Sequence, residues 1–148
     1  MELILWRHAD AKDGIPDGER ELTAKGLKQA DRMASWLGKR LPEDRVVLVS
    51  EALRAQQTAR ALTRKFETSP EVGTAATPEM VLRAAGWPHR KGVVVVVGHQ
   101  PTLGEVAARV LTGRNAQWSI KKGAIWWLAC LERERHAVVR AVISPDML

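Results

Sequence analysis

Arginine and histidine stand side by side where an apolar run stops: MELILW is followed at once by Arg7 and His8. The pattern recurs along the chain. The valine run at 93–97 ends in Gly98 and His99, and the run VVLV ends in Ser50, with Arg54 soon after it. Two histidines and two arginines therefore issue from the ends of three strand-like runs. No cluster of Asp or Glu of the kind a metal needs lies near them. Such a set makes an electropositive pocket without a cation, suited to a phosphoryl group. Arginine offers planar, bidentate N–H donors that match phosphate oxygens. A neutral imidazole is a competent nucleophile toward phosphorus near pH 7, and neighbouring guanidinium charges disfavour its protonation further. Phosphoryl transfer asks for little beyond in-line positioning and charge stabilisation. On this reading His8 attacks, while Arg7, Arg54 and His99 hold the equatorial oxygens. The bland alternative for each histidine is a satisfied residue at a strand end.

These residues need elements to position them. Leu3 to Trp6 reads as a first strand, and polar Asp10 to Glu21 as a loop. Thr23 can cap a helix to about Arg40, with Leu27, Ala30, Met33, Ala34 and Leu37 at helical spacing. Arg45 to Ser50 holds a buried strand, followed by a helix from about Glu51 to Phe66 with Ser50 as its N-cap. Leu53, Gln57, Ala61 and Leu62 fall near one face of that helix. Glu67 to Thr77 is weakly patterned, a short edge strand at most, and Pro78 opens a short helix to about Ala85. Five consecutive valines mark a strand buried on both faces. A helix follows from Pro101, at its first position, to Leu111, and Gly113 stops it. Ala124 to Cys130 and Ala137 to Ile143 read as two strands around LERERH. The alternation predicts an α/β fold, a three-layer α/β/α sandwich with a mainly parallel central sheet and an antiparallel C-terminal edge. In such a sheet ligands bind outside the carboxyl ends of the strands, where Arg7, His8, Arg54 and His99 gather.

Bulk properties set the frame. A chain of 148 residues, 45% hydrophobic and 27% charged, suits a single domain over 1–148 with a real core. No signal peptide is evident, and the longest purely apolar run falls far short of the roughly 20 residues that span a bilayer, so cytoplasm is the expected location and no membrane partner is expected. A lone Cys130 excludes an intramolecular disulfide and a cysteine-based zinc site. The net charge of +6 invites a nucleic-acid reading. The basic residues are scattered, however, and with no Tyr and one Phe there is little to stack bases on. A basic surface suits an anionic substrate or an acidic protein equally well.

Three stretches carry a resemblance to a known family. RHADA resembles the RHG signature of the histidine phosphatase superfamily, the phosphoglycerate-mutase-like proteins. SEALRAQQTA is similar to its S-P-x-x-R-A-x-Q-T block, and VVVVVGHQPTLG resembles its second-histidine block, G-H-x-P. The three occur in the family's order and span most of the chain. Within the superfamily the likeness is closest to small SixA-type phosphohistidine phosphatases, which are short and carry R-x-L-T-x-x-G, here RELTAKG from Arg20 to Gly26. The resemblance implies a phosphatase without metal or cofactor. It implies His8 as nucleophile, Arg7, Arg54 and His99 completing the pocket, and Arg20 as a further phosphate contact. It also implies a covalent phosphohistidine intermediate on the enzyme. Two positions depart from the pattern: Ala9 stands where glycine is usual, and Glu51 where proline is common.

Many superfamily members use a carboxyl group to protonate a leaving oxygen. Glu79, in ATPEMV, is the candidate general acid here; otherwise it is an exposed residue in the first turn of a helix. A phosphohistidine substrate eases the need, because its leaving imidazole has a reference pKa near about 6.5. The short span between Arg54 and His99 leaves little room for a lid, and an open site can admit a histidine projecting from a folded protein. The expected substrate is therefore a phosphohistidine-bearing protein of a phosphorelay or phosphotransfer system, with inorganic phosphate as product. Alternatives are a phosphatase for small phosphate esters and a non-catalytic phosphoprotein-binding module. A monomer or weak homodimer is expected. Asp10 orients the loop, Thr58 sits behind Arg54, and Gln57 is unassigned. His89 and His136 read as exposed turn residues, and Cys130 as a core thiol. Of Trp126 and Trp127, one faces the core and the other the opposite side, where it is covered or marks a partner surface.

Overall fold

The computed structural model describes residues 1–131 and 137–148. Six strands form one sheet in the order β3-β2-β4-β1-β5-β6. They are β1 (Glu2–Arg7), β2 (Arg45–Val49), β3 (Glu67–Thr68), β4 (Val93–Gly98), β5 (Ile125–Cys130) and β6 (Ala137–Ile143). β1, β2, β3 and β4 run parallel, and β5 and β6 add an antiparallel edge beyond β1. This is the expected sheet.

Alternation along the strands divides the core in two. Leu3, Leu5, Val94 and Val96 point to one side, where α3 (Pro78–Ala85) and α4 (Thr102–Thr112) supply Val81, Ala85, Leu103 and Val106. Ile4, Trp6, Val93, Val95 and Val97 point to the other, where α1 (Ala24–Gly38) and α2 (Leu53–Arg60) supply Met33, Leu37, Ala55 and Ala59. The three layers follow directly. β4 is buried over its whole length, and each valine fully removed from water is worth about 1.5 kcal/mol or more. This central strand fixes the level at which Gly98 hands over to His99.

Register then decides the site. Arg7 lies opposite Gly98, and Val49 opposite Val97. The ladder continues one step past the strand ends, as His8 N–H donates to the Gly98 carbonyl and Ser50 N–H to that of Val97. His8, Ser50 and His99 therefore leave the sheet side by side.

Several expectations are corrected at the helices. Leu27 is 47% exposed, because Gly26 takes the inward position of the first turn and the buried stripe runs through Gly26, Ala30, Met33, Ala34 and Leu37. Gly26 is required there, since a Cβ would collide with the Asp10 carbonyl. Thr23 caps α1 as expected, accepting from Gly26 N–H at 2.9 Å. α2 is shorter than its pattern suggested: it starts at Leu53, ends at Arg60, and has Ala52 as N-cap with no side-chain cap bond. Ser50 is thus no helix cap, and Glu51 precedes the helix. The buried residues of α2 are Arg54, Ala55, Thr58 and Ala59, a partly polar stripe that hydrophobic spacing does not reveal. Pro101 lies one residue outside α4, and Gly113 ends that helix at a left-handed φ of 73°. Both tryptophans of β5 are covered, Trp126 by Trp118 at 5.8 Å between ring centres and Trp127 by Trp36 and Arg140. Cys130 is a half-buried free thiol at the end of β5, and His89 is exposed in a turn. His136 lies outside the described residues. No helix among the described residues is long and apolar enough to cross a membrane.

Candidate active site

β1 delivers Arg7 and His8. Arg7 is anchored by Nη1, which donates to the Ile120 carbonyl at 2.8 Å. Its Nε is the single buried side-chain N or O among the described residues that has no partner. Buried donors are almost always paired, and an oxyanion is the kind of group this one would satisfy. Burial also lowers the guanidinium pKa.

His8 is 7% exposed. Its Nδ1 lies 2.8 Å from the Ala9 carbonyl. A carbonyl only accepts, so Nδ1 carries the proton and Nε2 keeps its lone pair. Arg54 Nε donates to that Nε2 at 3.3 Å. Burial pushes the His8 pKa down to about 4; the Ala9 bond opposes it, and the Arg54, Arg7 and Arg20 charges each add a smaller lowering.

His99, from the end of β4, sits 5.2 Å from His8 between ring centres. Arg54 Nη2 lies 3.5 Å from its Nδ1, which therefore accepts, leaving the proton on Nε2. That Nε2 donates to Ser50 Oγ at 2.7 Å. Ser50 Oγ also accepts from Ala52 N–H at 3.1 Å. The residue expected as a helix cap instead fixes the orientation and tautomer of His99. Burial first, then the neighbouring His8 and Arg54 charges, lower the His99 pKa to about 3.

Arg54, 5% exposed, is the hub. Its place is set by Thr58, whose hydroxyl donates to the Arg54 carbonyl at 2.8 Å and accepts from Ala9 N–H at 3.1 Å. This ties α2 to the turn after β1. The Ala9 methyl is fully buried with Leu22 and Ala30, so the substitution for glycine is absorbed by packing. Asp10 bonds Thr23 and Lys122, while its N–H donates to Gln29, holding the loop on α1. Gln57 accepts from Leu22 N–H at 2.7 Å and pins the far end of that loop.

Asp17 is the site residue that sequence reasoning missed. It lies in a 3-10 turn (Asp17–Glu19). Its carbonyl accepts from Arg54 Nη1 at 2.8 Å, and its carboxylate from Arg54 Nη2 at 3.1 Å and from Arg20 Nη1 at 3.1 Å. These bonds hold the carboxyl below its ordinary pKa. The available signal was its spacing, three residues ahead of Arg20. Arg20 is thereby brought to Arg54, with its Nε on the Lys12 carbonyl at 2.7 Å. Glu79 is not brought in: its exposed carboxylate pairs with Arg109 at 2.6 Å, which holds it ionised. Among the described residues no group of three potential ligands is arranged to hold a metal.

The two depressed histidines make stability depend on pH. Their folded pKa values lie below the unfolded value, so the unfolded chain binds more protons in between and stability rises with pH. Stability is complete above about pH 6.5 and declines as pH falls toward the folded value of about 4 at His8. Urea midpoints should drop between pH 7.5 and 5 in wild type and drop much less in a His8→Gln, His99→Gln variant.

An α/β sheet whose strand ends gather two neutral histidines and a set of arginines makes a cationic pocket with the donor chemistry of an anion site. Residues 3–76 match the model of the histidine phosphatase superfamily, branch 1, and the chain belongs to that superfamily of phosphatases. Phosphohistidine phosphatase SixA of Escherichia coli (strain K12) is 32% identical over 124 residues, 78% of this chain and 77% of that protein. A SixA homolog of Haemophilus influenzae is 31% identical over 132 residues, 78% of this chain and 80% of that one. The solved structure of the protein histidine phosphatase SixA complexed with tungstate matches with a TM-score of 0.84 at 27% identity, covering 99% of both chains. A putative alpha-ribazole-5'-P phosphatase of E. coli matches at 0.74 with 20% identity, a likeness of fold alone.

Proposed function

We propose that this protein hydrolyses phosphohistidine on a partner protein. His8 Nε2 attacks phosphorus as the P–N bond to the substrate breaks, and the substrate ring, protonated on its other nitrogen, leaves as neutral imidazole. Arg7, Arg20, Arg54 and His99 hold the phosphoryl oxygens as charge moves onto them. Water then attacks phospho-His8, releasing inorganic phosphate and restoring the imidazole. The observation that carries the reading is a nucleophile with no protonated carboxyl beside it among the described residues. His8 Nε2 keeps its lone pair in a buried cationic pocket, while Asp17 and Glu79 are held ionised by arginines. An ionised carboxylate has no proton to give an alkoxide. An imidazole leaving group, with a pKa near about 6.5, needs far less help. The chain between α2 and β4 is taken up by β3, a 3-10 turn and the eight residues of α3, which suits a site open to a protein side chain.

The test is phosphate release from a phosphohistidine-bearing protein domain beside release from a simple phosphate ester. Faster release from the phosphohistidine protein supports the reading. Preference for the ester overturns it in favour of a small-molecule phosphatase, and Glu79 becomes the next residue to replace. Phosphate binding with no release from either leaves a binding module.

A further inference from the structure

We propose that Asp17 is an internal competitor for the phosphoryl site: its carboxylate takes the same arginine donors that a phosphoryl group needs and must be displaced by it. The geometry is that of an anion in a clamp. One carboxylate oxygen faces Arg54 Nη2 and the other faces Arg20 Nη1, each at 3.1 Å. Planar guanidinium groups grip carboxylate and phosphate oxygens through the same paired N–H donors, so the two anions exclude each other there. Asp17 is also placed to yield. Its side chain is 58% exposed. Gly18 lies within its turn and Gly14 ahead of it, and a Cβ at either would meet nothing within 4 Å. The Asp17 carbonyl bonds Arg54 Nη1 separately at 2.8 Å, so Arg54 stays anchored when the carboxylate leaves.

The consequence is a common penalty on every phosphoryl ligand that enters the clamp. Free phosphate has only the clamp to bind, so the penalty leaves it weakly held. A phosphorylated protein adds contacts outside the pocket that hold it in spite of the same penalty. The inference rests on the phosphatase reading only in that a phosphoryl group enters this clamp.

Asp17→Asn keeps the size and the backbone carbonyl and removes the charge. Calorimetric titration with inorganic phosphate should show tighter binding by about tenfold, the scale of one charge-assisted contact, with product inhibition strengthened in parallel. Asp17→Glu, which retains the charge, should stay near wild type. Unchanged or weaker binding by Asp17→Asn would overturn the proposal and make Asp17 a positioning residue for Arg54. Undetectable phosphate binding by wild type and variant alike would overturn it too. None of these titrations uses a phosphohistidine substrate, so failure here is separable from failure of the hydrolysis assay.

Discussion

His8→Ala lowers kcat for phosphate release by at least about 10⁴-fold, the scale seen when a covalent nucleophile is removed, while inorganic phosphate still binds. Two features of the site set this expectation. His8 Nε2 presents its lone pair to Arg54 Nε at 3.3 Å, and the carboxylate that reaches Arg54 is already engaged by two arginines. Binding should survive because the arginines are anchored independently of the His8 ring. Arg7 hangs from the Ile120 carbonyl, and Arg54 from the Asp17 carbonyl. Single-turnover release and phosphate titration on one preparation separate the two effects. Release within tenfold of wild type would refute a nucleophilic role for His8.

The pH profile carries the same expectation. With the His8 pKa at about 4, kcat/KM on the acid side should hold well below pH 6.5, because the free enzyme keeps its imidazole neutral. An unperturbed histidine would already be half protonated at about pH 6.5.

What the sequence revealed here followed from the physics of strand ends. Val93–Val97 is long, β-branched and buried on both faces, so its end and therefore His99 were legible. The ends of β1 and β2 were legible for the same reason. Side-chain partners were not. Ser50 stands before a helix and has the chemistry of an N-cap, and nothing in spacing says that a histidine from another strand will claim its hydroxyl. Periodicity over-extends α2 and hides its inner face, because Arg54 and Thr58 are inward and polar where hydrophobic periodicity seeks apolar residues. Leu27 lies outward because a glycine that must approach the Asp10 carbonyl takes the inward position. Asp17 sits in a polar loop where the residues ahead of Arg20 carry no periodicity at all. Only the folded loop shows that its carboxylate reaches Arg54.

Arg54→Ala should cost about 10³-fold in kcat/KM, at the upper end of what one oxyanion donor is worth, because three functions depend on one guanidinium. It donates to His8 Nε2, it lies against His99 Nδ1, and it carries the Asp17 contacts. Its charge also helps hold His8 and His99 unprotonated. Loss of that charge should raise the acid limb of the kcat/KM profile toward neutral pH, a shift that a merely misfolded fraction does not produce. Arg54→Lys separates charge from geometry. A lysine restores a point charge and keeps the acid limb low, yet cannot reach His8, His99 and a phosphoryl oxygen from one rigid plane. It should therefore recover the pH profile while still losing about 10²-fold in kcat/KM. If Arg54→Lys matched wild type in rate, the fork would be dispensable and Arg54 would act by charge alone.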